Sequence, residues 1–123
     1  MPKKKIKVVK MTKKLQKKLD KRAEKKQFQE WARIVKEDSF FKCAICGSPT
    51  KLNSHHIIPR DVHEYRFDTL NGVALCGFCH KFSITNSPHR NPFVFFLWLR
   101  DNHTEQFKYL EELIKQKRKE ENV

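Results

Sequence analysis

No stretch of this chain stays apolar for long. The longest uninterrupted apolar run, Phe93–Leu99, has seven residues, far short of the roughly 20 that span a bilayer as a helix. Acidic residues are scarce as well, 14 against 27 Lys and Arg, which leaves a net charge of +13. That imbalance calls for a polyanionic partner, either nucleic acid or an anionic membrane surface. Glycine occurs three times and apolar residues make up 38% of the chain. At 123 residues this provides one domain with a small core and no room for a second. A core that small gains from a structural metal. Internal repeats are absent, and the Lys-rich N-terminus is the one low-complexity tract. The first ten residues have no apolar signal region and no cleavage site. Together with the thiol pattern below, the expectation is an intracellular, cytoplasmic protein. Pro2–Lys7 resembles a nuclear localisation run, although a solvated tail touching phosphate is the commoner use of such a sequence.

What is present centres on Cys43 to His80. Cys43-x-x-Cys46 and Cys76-x-x-Cys79 each place two thiols on one tight turn. Two such turns complete a four-thiolate tetrahedral shell, the closed form of structural zinc. Gly47 follows Cys46 and suits a knuckle turn that needs a positive φ. The 29 residues between Cys46 and Cys76 exceed the spacing of compact zinc modules, about 15–20, so something is housed between the pairs. Two disulfides or four unrelated thiols form the competing reading, which would suit a secreted or redox-active protein better.

Between the pairs lie His55 and His56. Leu52–Ile58 contains a β-branched pair and stops at Pro59, which predicts a strand. Neighbouring side chains on a strand face opposite ways, so the two histidines divide their labour: one can bind metal while the other faces substrate. Val73–Leu75 predicts a second strand, preceded by an Asn71-Gly72 turn, and Cys76 to about Ser83 a short helix carrying His80. Singly, each histidine is more often a surface residue or a spare zinc ligand. Set between two zinc-type pairs, they point to a site.

These residues together resemble the HNH endonucleases, ββα-metal (His-Me finger) nucleases, in the form with an added four-cysteine zinc. The three motif letters fall on His56, Asn71 and His80, at intervals of 15 and 24 residues. The resemblance covers about Phe40–Ser83. Asn91-Pro92 opening an aromatic helix extends it towards Trp98, in the manner of phage-borne and restriction-associated members. It implies an α+β fold, a small ββα-metal core with a four-cysteine structural zinc, flanked by N-terminal and C-terminal helices. It also implies a metal-dependent DNA endonuclease. His56 would be the general base for the attacking water, and Asn71 would tie the inter-strand loop and hold His56 in orientation. His55 and His80 would hold a divalent metal that stabilises the phosphorane and the leaving 3′-oxygen. Neutral imidazole suits the base role near physiological pH. Some members carry a further ligand four residues beyond the second motif histidine; here that position is Ile84, so two protein ligands are expected. Mg²⁺ or Mn²⁺ is the default ion, with Zn²⁺ or Ni²⁺ admitted by imidazole. DNA is the implied partner, with no membrane. A homodimer, or a phage or host DNA-processing partner inside the host cell, is compatible. The alternative function is a non-catalytic zinc-stabilised nucleic-acid-binding module. It accounts for the charge and the cysteines but not for His55, His56, Asn71 and His80 at these intervals.

The remainder divides into a basic tail (1–11), an N-terminal basic amphipathic helix (12–38), the nuclease region with its zinc site (39–101) and a C-terminal helix (102–123). Leu15, Leu19 and Ala23 give the first helix a thin apolar line; Phe28, Trp31, Ala32 and Val35 give it a docking face. Phe28 and Trp31 are expected in the core. Arg60 and Arg66, in the loop Pro59–Leu70, could clamp phosphate or pair with Asp61, Glu64 or Asp68. His63 and His89 are not expected to be ligands. Asn91 and Pro92 predict an N-cap and first helical position for a buried helix Phe93–Arg100. Asn102 with Glu105 predicts a capping pair opening the last helix, whose apolar face is Phe107, Leu110 and Leu113 or Ile114.

Overall fold

The computed structural model describes residues 12–122; the basic tail 1–11, with Pro2–Lys7, lies outside the described residues. Helix α1 spans Lys13–Asp38. Its start is fixed by Thr12, whose hydroxyl accepts from the Leu15 N–H at 3.1 Å and so satisfies one orphan donor of the first turn. Its end is a Schellman turn: Phe40 N–H returns to Glu37 and Phe41 N–H to Lys36, both at 2.9 Å. Phe40 and Phe41 adopt φ of 56° and 54°, the left-handed region where glycine usually sits. The two halves of α1 differ as their sequences do. Leu19 is exposed, whereas Trp31 and Val35 are buried.

Strands β1 (Leu52–His55) and β2 (Val73–Cys76) form an antiparallel pair in which Ser54 faces Ala74 and His55 faces Val73. Every residue of β2 is buried, because the strand is covered on both sides. Ala74 packs with Trp31 and Val35 of α1, while Val73 and Leu75 join the main core with Phe95, Leu99 and Leu110. Ser54 secures the α1 side by donating to the Ala32 carbonyl at 2.7 Å. Gly72 makes this packing possible: a Cβ there would stand 2.4 Å from Val35 Cγ2 and 2.8 Å from Trp31 Cζ2. Its role is close approach, not a special turn angle.

The expected strand Leu52–Ile58 pairs only as far as His55. Beyond it, a side chain replaces the partner strand. Asn71 Oδ1 accepts from Ile58 N–H at 2.6 Å, and Asn71 Nδ2 donates to the Ile58 carbonyl at 3.0 Å.

After β2, Phe78–Phe82 makes one wide helical turn, closed by Ser83 N–H to the Phe78 carbonyl at 2.8 Å. Helix α2 (Pro92–Asn102) opens on Asn91, whose side chain accepts from Val94 N–H at 3.2 Å. Only Phe95 and Leu99 of this helix are fully buried; Phe93 is 71% exposed, so the expectation of a buried helix holds for one face only. Helix α3 (Thr104–Glu121) follows at once and contributes Leu110. The expected Asn102 cap does not form. Asn102 belongs to α2 and donates to the Trp98 carbonyl at 2.9 Å, and His103 stands at the cap position without a side-chain bond. The connection is too tight for Asn102 to leave the first helix. Among the described residues no helix is long and apolar enough to cross a membrane. The mixed architecture, with a two-stranded sheet and a helical turn beside a four-cysteine cluster, is the ββα arrangement expected.

Candidate active site

The four cysteines come together from two directions. Gly47, at φ 78°, turns the chain after Cys46, and its N–H bonds the Cys43 carbonyl at 2.9 Å. Ala44 N–H donates to the Ala74 carbonyl at 2.9 Å, fastening this knuckle to β2. Cys76 ends β2 and Cys79 sits in the helical turn. All four sulfurs lie within 4.8 Å of one another, and none is in a disulfide. Burial, followed by the neighbouring thiols, pushes the Cys79 thiol well up. Burial also acts to raise Cys43, but backbone donors at Cys46, Cys76 and Ile45 outweigh it and bring that thiol down to about 7. Four soft sulfur donors converging at this range fit zinc, and together they can hold a metal ion.

The histidines form a second cluster. His55 leaves β1 towards α2, its ring edge-on to Phe95 at 5.8 Å. Its Nδ1 lies 3.1 Å from His80 Nε2, which in turn lies 2.9 Å from His89 Nε2. The ligand atoms of the three residues are within 4.8 Å of one another. The sequence reading left His89 out of any ligand set. The structure brings it in, because the loop after the helical turn folds back over His80. No linear spacing signals this; the one cue is a Ser-Pro-His turn nine residues downstream of His80. His63, by contrast, lies in the helical turn His63–Tyr65 and takes no part. Burial first, then repulsion from His80 and His89, lowers His55 to about 3; burial and His89 lower His80 to about 4. The rings are therefore neutral at physiological pH, the form that can ligate a metal.

His56 points the opposite way. Its ring stacks on Trp31 of α1, centroids 3.8 Å apart and planes 9° from parallel. Trp31 is itself held by its Nε1–H to the Asp68 carbonyl at 2.8 Å. His56 Nε2 lies 2.8 Å from the Arg66 carbonyl. A carbonyl can only accept, so Nε2 carries the proton and Nδ1 carries the lone pair. Burial lowers the His56 pKa; the Arg66 carbonyl opposes this and Arg60 adds to it. Asn71, fully buried, makes no hydrogen bond to His56. It donates to the Tyr65 carbonyl at 3.0 Å, and so fixes the peptide that precedes the Arg66 carbonyl holding His56.

The two loop arginines separate. Arg66 pairs with Glu24 of α1 at 3.5 Å and lies over Phe67, not with Asp61, Glu64 or Asp68. Arg60 lies 4.3 Å over the Phe28 ring and has no carboxylate partner among the described residues. Phe28 was expected in the core; it is half-buried and forms part of a groove wall. One cleft is lined by His55, His56, Arg60, His80 and His89. A second groove, lined by Lys21, Lys25 and Phe28, adjoins it and shares Ser54, His56 and Arg60.

Residues 43–82, less than half of the chain, match the family model described as HNH endonuclease. The resemblance seen in the motif thus coincides with a family match over the four-cysteine segment and the histidine pair. No curated protein and no solved structure matches the chain.

Proposed function

We propose that the chain is a metal-dependent DNA endonuclease with His56 as the general base. The observation that carries this reading is one cleft in which a convergent imidazole cluster and His56, its Nδ1 lone pair unspent, stand side by side. The chemistry follows from the residues. His56 Nδ1 takes a proton from a water attacking the scissile phosphorus, and Trp31 and the Arg66 carbonyl keep its ring in one plane. Asn71 positions that carbonyl through Tyr65. Arg60, without a carboxylate partner among the described residues, would receive a phosphate oxygen. His55 and His80 would hold a divalent ion; when bound, such an ion supplies positive charge to the phosphate oxygens and the leaving alkoxide. The four-cysteine site, closed by its own ligands, would hold zinc and fix the distance between β1 and the helical turn that carries His80. Lys21 and Lys25 continue the cleft along α1 and give the DNA backbone a path away from the reacting phosphate.

The test is cleavage of supercoiled plasmid by the wild-type protein and by His56→Ala, with divalent ion or with EDTA, alongside a DNA-binding measurement. Wild type should cut only with the ion. The variant should lose about 10²–10⁴ in rate, the usual worth of a general base, with binding retained. Undiminished cutting by His56→Ala refutes the assignment of the base. Salt-sensitive DNA binding without any cutting points to the binding-module function instead.

A further inference from the structure

We infer that His89 is a third protein ligand of the ion site, set in place by the hydroxyl of Ser87, and that the three-imidazole site takes a late first-row divalent ion such as Co²⁺, Ni²⁺ or Zn²⁺ in preference to Mg²⁺. The inference rests on the nuclease reading of the His55–His80 site and specifies its ion.

The first argument is hydrogen-bond capacity. His80 Nε2 lies within bonding distance of both His55 Nδ1 and His89 Nε2. A neutral ring nitrogen has either one proton or one lone pair. His80 Nε2 can therefore satisfy one neighbour but not both, and a chain of three imidazole hydrogen bonds does not close. If all three lone pairs turn inwards on one cation, every contact is accounted for. Two nitrogens about 2.0–2.1 Å from a shared tetrahedral ion stand about 3.3 Å apart, close to the observed 3.1 Å and 2.9 Å.

The second argument is that the loop is built to deliver His89. Ser87 is fully buried. Its hydroxyl donates to the His80 carbonyl at 2.6 Å and accepts from His89 N–H at 3.2 Å and Arg90 N–H at 3.3 Å. Its own carbonyl accepts from Asn91 N–H at 2.7 Å. One side chain thus ties the backbone of His80 to the backbone of His89. Four residues beyond His80 stands Ile84, 68% exposed and without a donor atom; the third imidazole comes from the loop instead.

The donor set then selects the ion. Three neutral imidazoles suit Zn²⁺, Ni²⁺ and Co²⁺. Mg²⁺ prefers oxygen donors in an octahedral shell, and the described residues bring no carboxylate into this cluster.

The experiment is calorimetric titration of the full chain carrying one zinc per molecule in its cysteine site, confirmed by elemental analysis, with Co²⁺ and separately with Mg²⁺. Wild type should bind one further equivalent of Co²⁺, more tightly than Mg²⁺. His89→Ala, at an exposed position, should weaken Co²⁺ by at least about tenfold and leave the thermal melt unchanged. Ser87→Ala should also weaken Co²⁺, and restoring the hydroxyl with Ser87→Thr should recover part of the affinity. If wild type binds neither a second Co²⁺ nor Mg²⁺, the ion site itself falls, and the nuclease reading with it; Mg²⁺ binding without Co²⁺ binding overturns this inference alone. If wild type binds Co²⁺ and His89→Ala binds it equally well, only the role of His89 falls. Mg²⁺ binding as tight as Co²⁺ overturns the ion preference.

Discussion

A single ring nitrogen separates His56 from a surface histidine. Because the Arg66 carbonyl accepts a hydrogen bond from Nε2–H, Nδ1 is the basic atom, and burial keeps the ring from charging at the usual pH. His55 and His80 are depressed further, to about 3 and about 4. Lowered folded values mean that acid favours the unfolded chain. The stability held in these neutral rings is complete above the ordinary histidine value, about 6.5, and is lost as pH falls towards about 4 and then about 3. The acid limb of the cleavage profile should accordingly lie below about 6.5, and a pH–rate series whose limb is centred above that value would contradict the neutral-base assignment. Much at this scale was legible in the sequence. The alternation of a strand separates His55 from His56, and Gly47 announces its positive φ. His89 and Ser87 were not legible, because their relation to His80 is made by a loop folding back and leaves no periodicity.

Among the elements, α1 was readable nearly to its ends, including its Trp31 and Val35 face, and the structure adds Thr12 as its cap. The first strand was over-read, because Asn71 imitates a partner strand for Ile58 and no strand propensity reveals a side chain acting as backbone. The turn before α3 was misread for a related reason. Asn102 meets the pattern of a cap yet is still inside α2, where Trp98 is within reach. The contact between α1 and β2 depends on one missing methyl group. Gly72→Ala places a Cβ against Val35 and Trp31, and overpacking of this kind costs about 1–3 kcal/mol. Thermal melting of Gly72→Ala should show a clearly lowered midpoint. An unchanged midpoint would mean that α1 can shift away without loss.

For the whole molecule, the core is two small clusters on opposite faces of β2. Cys43 and Cys76 are both members of the larger one, so the four-cysteine cluster is part of the hydrophobic packing. A domain with a total reserve of about 5–15 kcal/mol can hardly lose a structural zinc, whose binding is worth about 10 kcal/mol or more in small zinc modules. Cys43→Ala, or prolonged chelation of the wild type, should therefore abolish cooperative unfolding as followed by circular dichroism. A zinc-free protein that melts like the wild type would remove the structural role of the cluster.

The outer turns of α1 have a consequence for timing. From Leu15 to Phe28 the helix runs about 20 Å, at about 1.5 Å per residue, and Lys13, Lys14, Lys17 and Lys18 stand on the part beyond the core. Mobile ions largely screen charges more than about 8 Å apart at physiological ionic strength. The field of those lysines at His56 is thus largely screened, yet they reach far into the surrounding solvent. On the proposed nuclease function they would widen the target that a diffusing polyanion must hit and leave the proton transfer untouched, so that the speed of capture and the speed of bond breaking would be set by different ends of one rod.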